Sequence, residues 1–502
     1  MRRAQKPLPV GPNWTNGDIE AYMDVLGELA DEYGLETSLN QIEIVSSEQM
    51  LDAYALNGLP VCYSHWRYGK AFSQYHNAYR KGQMGLAYEM IINSDPAISY
   101  FMEENNLVTQ ALVAAHACFG HNAFFKNNFL FKEWTQPDSI VDYALFAREY
   151  INNCEEKYGW EKVEATLDAA HALEQHGIYK YKRPVKLNAA AEKQMQKERI
   201  LEREKDVHEL WRVMPGKEEK TQEQKDLFPP EPEENILYFL ERFSPILEDW
   251  QRELIRIVRQ LSQYFYPQAQ TKVMNEGFAT FWHYTLLYDL FDLGYVTDGF
   301  MQSFLSLHTN VAAQRDYNQC GGMGGLNPYY LGFHTFQEIR RICEKPTKED
   351  EKWFPQLVGQ DWVEQIKYAG YNFKDESFIL QYLSPELMRK MKLFALMDDS
   401  GNDFYEVAAI SDEDGYKDLR SILSKLYNRA YRVPDIQVTE AKIKGDRTLT
   451  LQHYGVEDVP LDEKEKAKVI ELIQSLWGFD VKILSDAKPP RPFDEDDYYV
   501  WI

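Results

Sequence analysis

Residues 107–128 leave this chain few ways to fold. Leu107-Val-Thr-Gln-Ala-Leu-Val-Ala-Ala115 is uncharged and mostly apolar, which predicts a buried helix. It runs directly into His116-Ala-Cys-Phe-Gly-His121-Asn-Ala-Phe-Phe-Lys-Asn-Asn128, so two imidazoles sit where the pattern is most apolar. A buried imidazole needs a partner, and a metal ion accounts best for two of them so close together. Cys118, between them, reads as a small buried residue.

The pair does not follow the His-Glu-x-x-His pattern of zinc peptidases, because its spacing is five and position 117 is Ala. On a regular helix five residues rotate the side chain by about 140°, which spreads the rings apart. Gly120 is expected to end or bend the helix and bring His121 back. The missing carboxylate must come from elsewhere, and Met274-Asn-Glu276-Gly-Phe-Ala-Thr280-Phe-Trp-His283 offers one. Glu276, Thr280 and His283 share one face of a predicted helix. A carboxylate in such apolar and aromatic company must be paired, protonated or on a metal. The segment resembles the later helix of gluzincin peptidases, where a Glu completes the zinc site. Glu276 and His283 lie about 10 Å apart along a helix axis, so one is read as a ligand and the other as a base or a supporting group.

The candidate set is therefore Glu276 as the catalytic carboxylate, with His116, His121, His283 and His171 as ligands of a divalent metal, zinc first. His171, in Asp168-Ala-Ala-His171, is the weaker addition. Lys126, Asn128 and Asn275 are candidates to contact a polar or anionic substrate. Lys126 to Asn128 read equally well as a helix-ending loop. His65, Glu89 and His308 read as hydrogen-bonded core or surface groups.

Charge and composition weigh against several classes. A formal net charge of −24 repels nucleic acid and anionic lipid. No run is long and apolar enough for a membrane span. Met-Arg-Arg-Ala-Gln-Lys is basic, with no apolar signal core after it, so a cytoplasmic protein is expected. Five scattered cysteines without a Cys-x-x-Cys pair fit a reducing compartment.

The pattern predicts an α+β protein: a large, mostly helical, zincin-like body followed by a small ferredoxin-like domain. Residues 1–184 form the helical part with His116 and His121, opening with a helix over 13–37 capped by Thr15 or Asn16, then a strand over 40–45. Residues 185–234 are a charged helix and connector. Residues 235–400 complete the same body with Glu276 and His283. The Gly-rich run 319–325 lacks the Gly-Lys-Ser/Thr ending of a phosphate-binding loop. Residues 402–486 read as β-α-β-β-α-β, the order of a ferredoxin-like sandwich, and 487–502 as an extended tail.

Longer blocks carry a family resemblance. Among them are Arg80-Lys-Gly-Gln-Met-Gly-Leu-Ala-Tyr-Glu89, Asn93-Ser-Asp-Pro96, Phe124-Phe-Lys-Asn-Asn128, Tyr179-Lys-Tyr-Lys-Arg-Pro184, Met274-Asn-Glu-Gly277 and His308-Thr-Asn-Val311. From about residue 13 to 485 the chain resembles the SpoVR family, named after stage V sporulation protein R. The resemblance implies a link to spore cortex formation or to stress responses. It also implies association with a PrkA-type serine kinase and a von Willebrand A-type protein. The expected function is a zinc-dependent hydrolase acting on an amide of a peptide or peptidoglycan precursor. The alternative is a non-enzymatic adaptor working with those partners, its histidines structural.

Overall fold

The computed structural model describes residues 7–56, 58–59, 61–81, 89–180, 228–315, 325–393, 396–397, 406–407, 413–429, 432–443, 445–455 and 459–486. These fall into two compact units, one drawn from 1–149 and 267–429, the other from 150–266 and 430–497. The divisions differ from those expected at 184/185 and 402. Two of them fall inside helices, Ile140–Tyr158 and Asp249–Gln270, whose periodicity continues without a linker-like composition to mark them. Most of the expected connector, 181–227, and the tail, 487–502, lie outside the described residues.

The first unit opens with helix Asn16–Glu32. Thr15 caps it: its hydroxyl accepts from Asp18 N–H, and its own N–H donates to the Asp18 carboxylate. Tyr22, Leu26 and Leu29 carry its buried face. Strand β1 (Asn40–Val45) falls where expected. Beyond it come β2 (Glu89–Ile92) and β3 (Ala97–Met102), joined by the polar turn at Asn93–Pro96. The sheet order is β1-β3-β2, with β1 parallel and β2 antiparallel to β3. One end of β2 thereby brings Glu89 to the interior.

Three helices form the heart of this unit. The first, here the histidine helix, runs from Leu107 to Asn127 and is capped by Asn106, whose side chain accepts from Thr109 N–H. The second is the central helix, Lys272–Asp292, with Phe278, Phe281, Trp282 and Leu286 buried. The third is the crossing helix, Pro328–Glu344, with Phe333, Phe336 and Ile339 buried. Their approach is set by glycines. A Cβ on Gly120 would stand 2.5 Å from Cα of Ala279, one on Gly277 2.4 Å from the Gly332 backbone, and one on Gly332 2.2 Å from the Val273 carbonyl. The central helix thus touches both neighbours backbone to backbone. Its first turn is capped from outside by buried Asp375, whose carboxylate accepts from Val273 and Met274 N–H at 2.9 Å each.

A short antiparallel pair, β4 (Leu396–Met397) and β5 (Glu406–Val407), and helix Glu413–Tyr427 also belong to this unit. That corrects the ferredoxin-like expectation. The strand and helix meant to open a sandwich are used elsewhere: β5 pairs with β4, and the helix packs on Asp375–Tyr382. The order of elements along the chain matched the motif, but order alone does not decide which strands pair.

The second unit contains a three-stranded sheet, β6 (Asp435–Ala441), β7 (Leu449–Tyr454) and β8 (Val481–Ser485), in that order. β6 and β7 are antiparallel; β8 returns parallel to β7 after helix Glu463–Trp477. That helix ends on Gly478 at φ +84°, the left-handed cap that glycine adopts without strain. Elsewhere in the unit, buried Glu241 on helix Ile236–Phe243 is met by Arg256 and Arg259 at 2.9 and 3.0 Å. A buried carboxylate is tolerated there because both oxygens are paired.

Two expectations for stability follow. Gly332→Ala forces a methyl into backbone atoms that cannot swing aside, so its cost should exceed the usual overpacking range of about 1–3 kcal/mol. Gly69→Ala, at the fourth residue of helix Trp66–Arg80 and with no atom within 4 Å of the added Cβ, should be neutral or stabilising by up to about 1 kcal/mol. Denaturant unfolding of both variants compares them directly. Asp375→Ala orphans two helix N–H groups and should cost about 1–3 kcal/mol. Burial pushes the Asp375 carboxyl from 3.8 up to about 7, against the pull of its N–H donors. A raised folded-state value means the folded chain binds the proton more tightly. This group's contribution is therefore present in acid and fades as pH rises through about 7. Asn cannot ionise, so the stability of wild type relative to Asp375→Asn should fall between about pH 4 and about pH 7.

Candidate metal centre

The histidine helix does not end at Gly120. Between Ala114 and His121 it widens into a π-helix and then resumes as an α-helix over Asn122–Asn127. In a π-helix the hydrogen-bonded repeat is i to i+5, so a five-residue step returns to the same face. The spacing that separates two rings on an α-helix brings them together here. The ring centroids of His116 and His121 lie 4.5 Å apart at 85°. Gly120 serves a different end from the one expected: it lets Ala279 of the central helix approach.

Two carboxylates face these rings. His116 Nε2 lies 3.7 Å from Glu89 Oε1 on β2 and 3.7 Å from Glu276 Oε2 on the central helix, while His121 Nε2 lies 3.5 Å from the same Glu276 oxygen. Glu89, His116 and His121 each place one ligand-type atom within 4.8 Å of the other two. The separations are long for hydrogen bonds. His116 Nε2 and Glu276 Oε2 are both buried without a hydrogen-bond partner.

The far side of each ring is held. His121 Nδ1 lies 2.8 Å from Asn275 Oδ1. An amide oxygen only accepts, so Nδ1 carries the proton and Nε2 presents its lone pair to Glu276. His116 Nδ1 lies 2.9 Å from His283 Nδ1, and His283 Nε2 lies 2.9 Å from His308 Nδ1 on helix Asp298–Val311. Tyr329, at the start of the crossing helix, stacks on the His116 ring with centroids 6.1 Å apart, and its hydroxyl interacts with Glu276.

Burial shapes the protonation states. It lowers His121 to about 4, helped by the neighbouring His116, so this ring is neutral near pH 7. It drives His283 far below the ordinary value, helped by the other imidazoles. Burial raises the Glu89 carboxyl, with Glu276 adding to the effect. It also works against the charge on Glu276, but the two imidazoles and the Tyr329 hydroxyl outweigh it and hold that carboxyl below its usual range. Burial and both carboxylates push Tyr329 well above 10, so its hydroxyl stays a donor.

Of the candidates named from sequence, His116, His121, Glu276, His283 and Asn275 meet here. His283 is corrected from ligand to support, because both its nitrogens face other imidazoles rather than the carboxylates. Asn275 is corrected likewise, since its amide oxygen is committed to His121. His171 belongs to the other unit, with Nδ1 3.1 Å from Glu174. Asn128 is structural: it donates to the carbonyls of Gly370 and Phe373 and caps helix Phe129–Trp134. Lys126 donates to the Thr37 carbonyl at the surface. Glu89 and His308, read as ordinary polar groups, belong to the site, as does Tyr329. The signal for Glu89 was its position opening the apolar run Met-Ile-Ile. Among the described residues one other acidic cluster, Glu338, Asp350 and Glu386, is filled by the Arg341 guanidinium.

Comparison with known proteins agrees along the chain. A family described as SpoVR like protein matches residues 13–432, and a SpoVR-like C-terminal domain matches 434–487, beginning just before β6. The chain is 49% identical over 484 residues to "Uncharacterized protein YcgB" of Escherichia coli (strain K12), covering 96% of this chain and 94% of that protein. No solved structure matches. With both family segments present in order and half of the aligned positions shared, the chain belongs to the SpoVR-like family.

Proposed function

We propose that this protein is a metal-dependent hydrolase, with a divalent ion, zinc first, held by His116, His121 and Glu89, and with Glu276 as general base. One observation carries the reading. A buried imidazole nitrogen and a buried carboxylate oxygen face each other without partners, 3.7 Å apart. Each orphan costs about 1–3 kcal/mol unless something absent from the chain itself satisfies it. Two imidazoles and a carboxylate form a common donor set of catalytic zinc.

A divalent ion held there by His116, His121 and Glu89 would supply Lewis acidity toward an amide carbonyl or a water. The chain's own residues do the rest. Asn275 holds His121 with its Nε2 lone pair inward. Glu276, kept ionised beside both rings, accepts a proton. Tyr329 stays protonated and donates to Glu276, or to an oxygen that gains charge nearby. The substrate class is an amide, of a peptide or peptidoglycan precursor, in keeping with the cortex and stress associations implied by the resemblance. The competing reading is an adaptor for a PrkA-type kinase and a von Willebrand A-type protein, in which no ion is bound.

Metal analysis of the purified full-length chain separates the two. Wild type should carry about one equivalent of metal, and His121→Ala and Glu89→Ala should lose it. Glu276→Gln should keep the metal while hydrolysis of peptide amides or of a peptidoglycan stem peptide falls about 100-fold or more. A folded wild type that takes up no zinc on dialysis overturns the hydrolase reading. Full metal retention in both ligand variants overturns the ligand assignment.

A further inference from the structure

Behind the site three buried imidazoles stand in a row: His116, His283 and His308, at 2%, 0% and 6% exposure. The two contacts that link them are each 2.9 Å between ring nitrogens. One nitrogen-to-nitrogen hydrogen bond holds one proton, and a neutral imidazole has one N–H to give. The row therefore has two self-consistent arrangements. In the first, His116 Nδ1–H donates to His283 Nδ1, His283 Nε2–H donates to His308 Nδ1, and His116 Nε2 carries a lone pair toward Glu89 and Glu276. In the second, every donor is reversed, and His116 Nε2 carries a hydrogen toward the carboxylates. Mixed arrangements leave two N–H groups or two lone pairs facing each other inside the core.

We propose that His283 and His308 are positioning residues that set the tautomer of His116, with only the first arrangement leaving the ring able to bind a metal. The inference rests on the metal reading above and extends it to two residues that touch no proposed ligand atom of the ion. No ring changes its net charge between the two arrangements. In the metal-free site the carboxylates attract the His116 Nε2–H and favour the second arrangement. A cation reverses that preference. Going from second to first, a proton leaves His116 Nε2, one proton shifts across each of the two hydrogen bonds, and one enters at His308 Nε2. The state of the site is thereby felt at His308, on a different helix. The end of that helix is tied to the crossing helix: Asn327, which caps Tyr329 N–H, also donates to the carbonyls of Val311 and Ala313.

The test uses the full-length chain and zinc alone. Affinity is read by competition with a chromophoric chelator, and folding by circular dichroism. In His308→Asn the amide oxygen takes the place of Nδ1 and accepts from His283 Nε2–H, so affinity should stay within about threefold. In His308→Phe the acceptor is lost, and affinity should fall about 10- to 100-fold, the usual effect of removing a partner behind a metal-bound histidine. Equal zinc affinity in folded His308→Phe and wild type overturns the relay while leaving the metal reading intact. So does equal weakening in both variants, which would mean that only the shape of the ring matters. If wild type binds no zinc, the metal reading fails first. Long-range proton–nitrogen spectra of histidine-labelled protein then decide the relay alone: the second arrangement requires His283 neutral and protonated at Nδ1. A His283 protonated on both nitrogens, or averaging between tautomers, overturns it.

Discussion

The central helix can be where it is only because three glycines let backbone meet backbone. Gly120 admits Ala279, and Gly277 and Gly332 admit each other. Glu276 stands between those two points of contact, with Gly277 on one side of it and Ala279 on the other. A helix held at such range cannot slide or rotate by half an ångström without a clash against atoms that have no rotamer to change. The same contact brings His121, immediately after Gly120, into register with Asn275 and Glu276. The precision that a compact motif obtains from neighbours on one helix is obtained here from helix-to-helix contact.

That contact must also offset an unfavourable interior. Two carboxylates and four histidine rings, His116, His121, His283 and His308, are withdrawn from water in the first unit. His121, His283 and His308 meet the cost by staying neutral, and Glu276 by leaning on Tyr329 and the rings of His116 and His121. What stays unmet is His116 Nε2 and one oxygen of Glu276. A surface with net charge −24 gives the fold no help in holding further buried anions. A buried arrangement this costly persists when it does something, which is why the site rather than the core explains these residues.

Much of this was legible in the sequence, and the failures share a cause. The cap at Thr15, the strand Asn40–Val45, the burial of 107–121 and the meeting of the His116/His121 segment with the Glu276/His283 segment all follow from local pattern and residue chemistry. The geometry at His116 and His121 did not, because the reading assumed 3.6 residues per turn, and a π-helix has no composition of its own. Gly120 has the local signature of a helix breaker, but its missing Cβ serves Ala279, 159 residues later, which no local signal records. The ferredoxin-like domain failed in the same way: β5 and helix Glu413–Tyr427 are the elements expected, in the order expected, but they pair and pack within the first unit, apart from the sheet of β6, β7 and β8. Glu89 was passed over because a lone carboxylate at the start of a four-residue strand looks like any strand end.

The departure from the His-Glu-x-x-His pattern has a physical consequence. In that pattern the base sits beside the first ligand on one helix, so ligand and base move together. Here the two proposed ligands His116 and His121 share a π-helix, the proposed base is on the central helix, and Glu89 comes from a sheet edge. The site exists only when three separate elements are packed, so it is a product of the whole first unit rather than of a motif. The π-helix is what makes this division workable. It sets both rings on one face and turns the Nδ1 atoms of both toward the central helix, where Asn275 and His283 receive them eight residues apart. An α-helix would give that helix one ring at a time, and the opposite carboxylate would face a single imidazole.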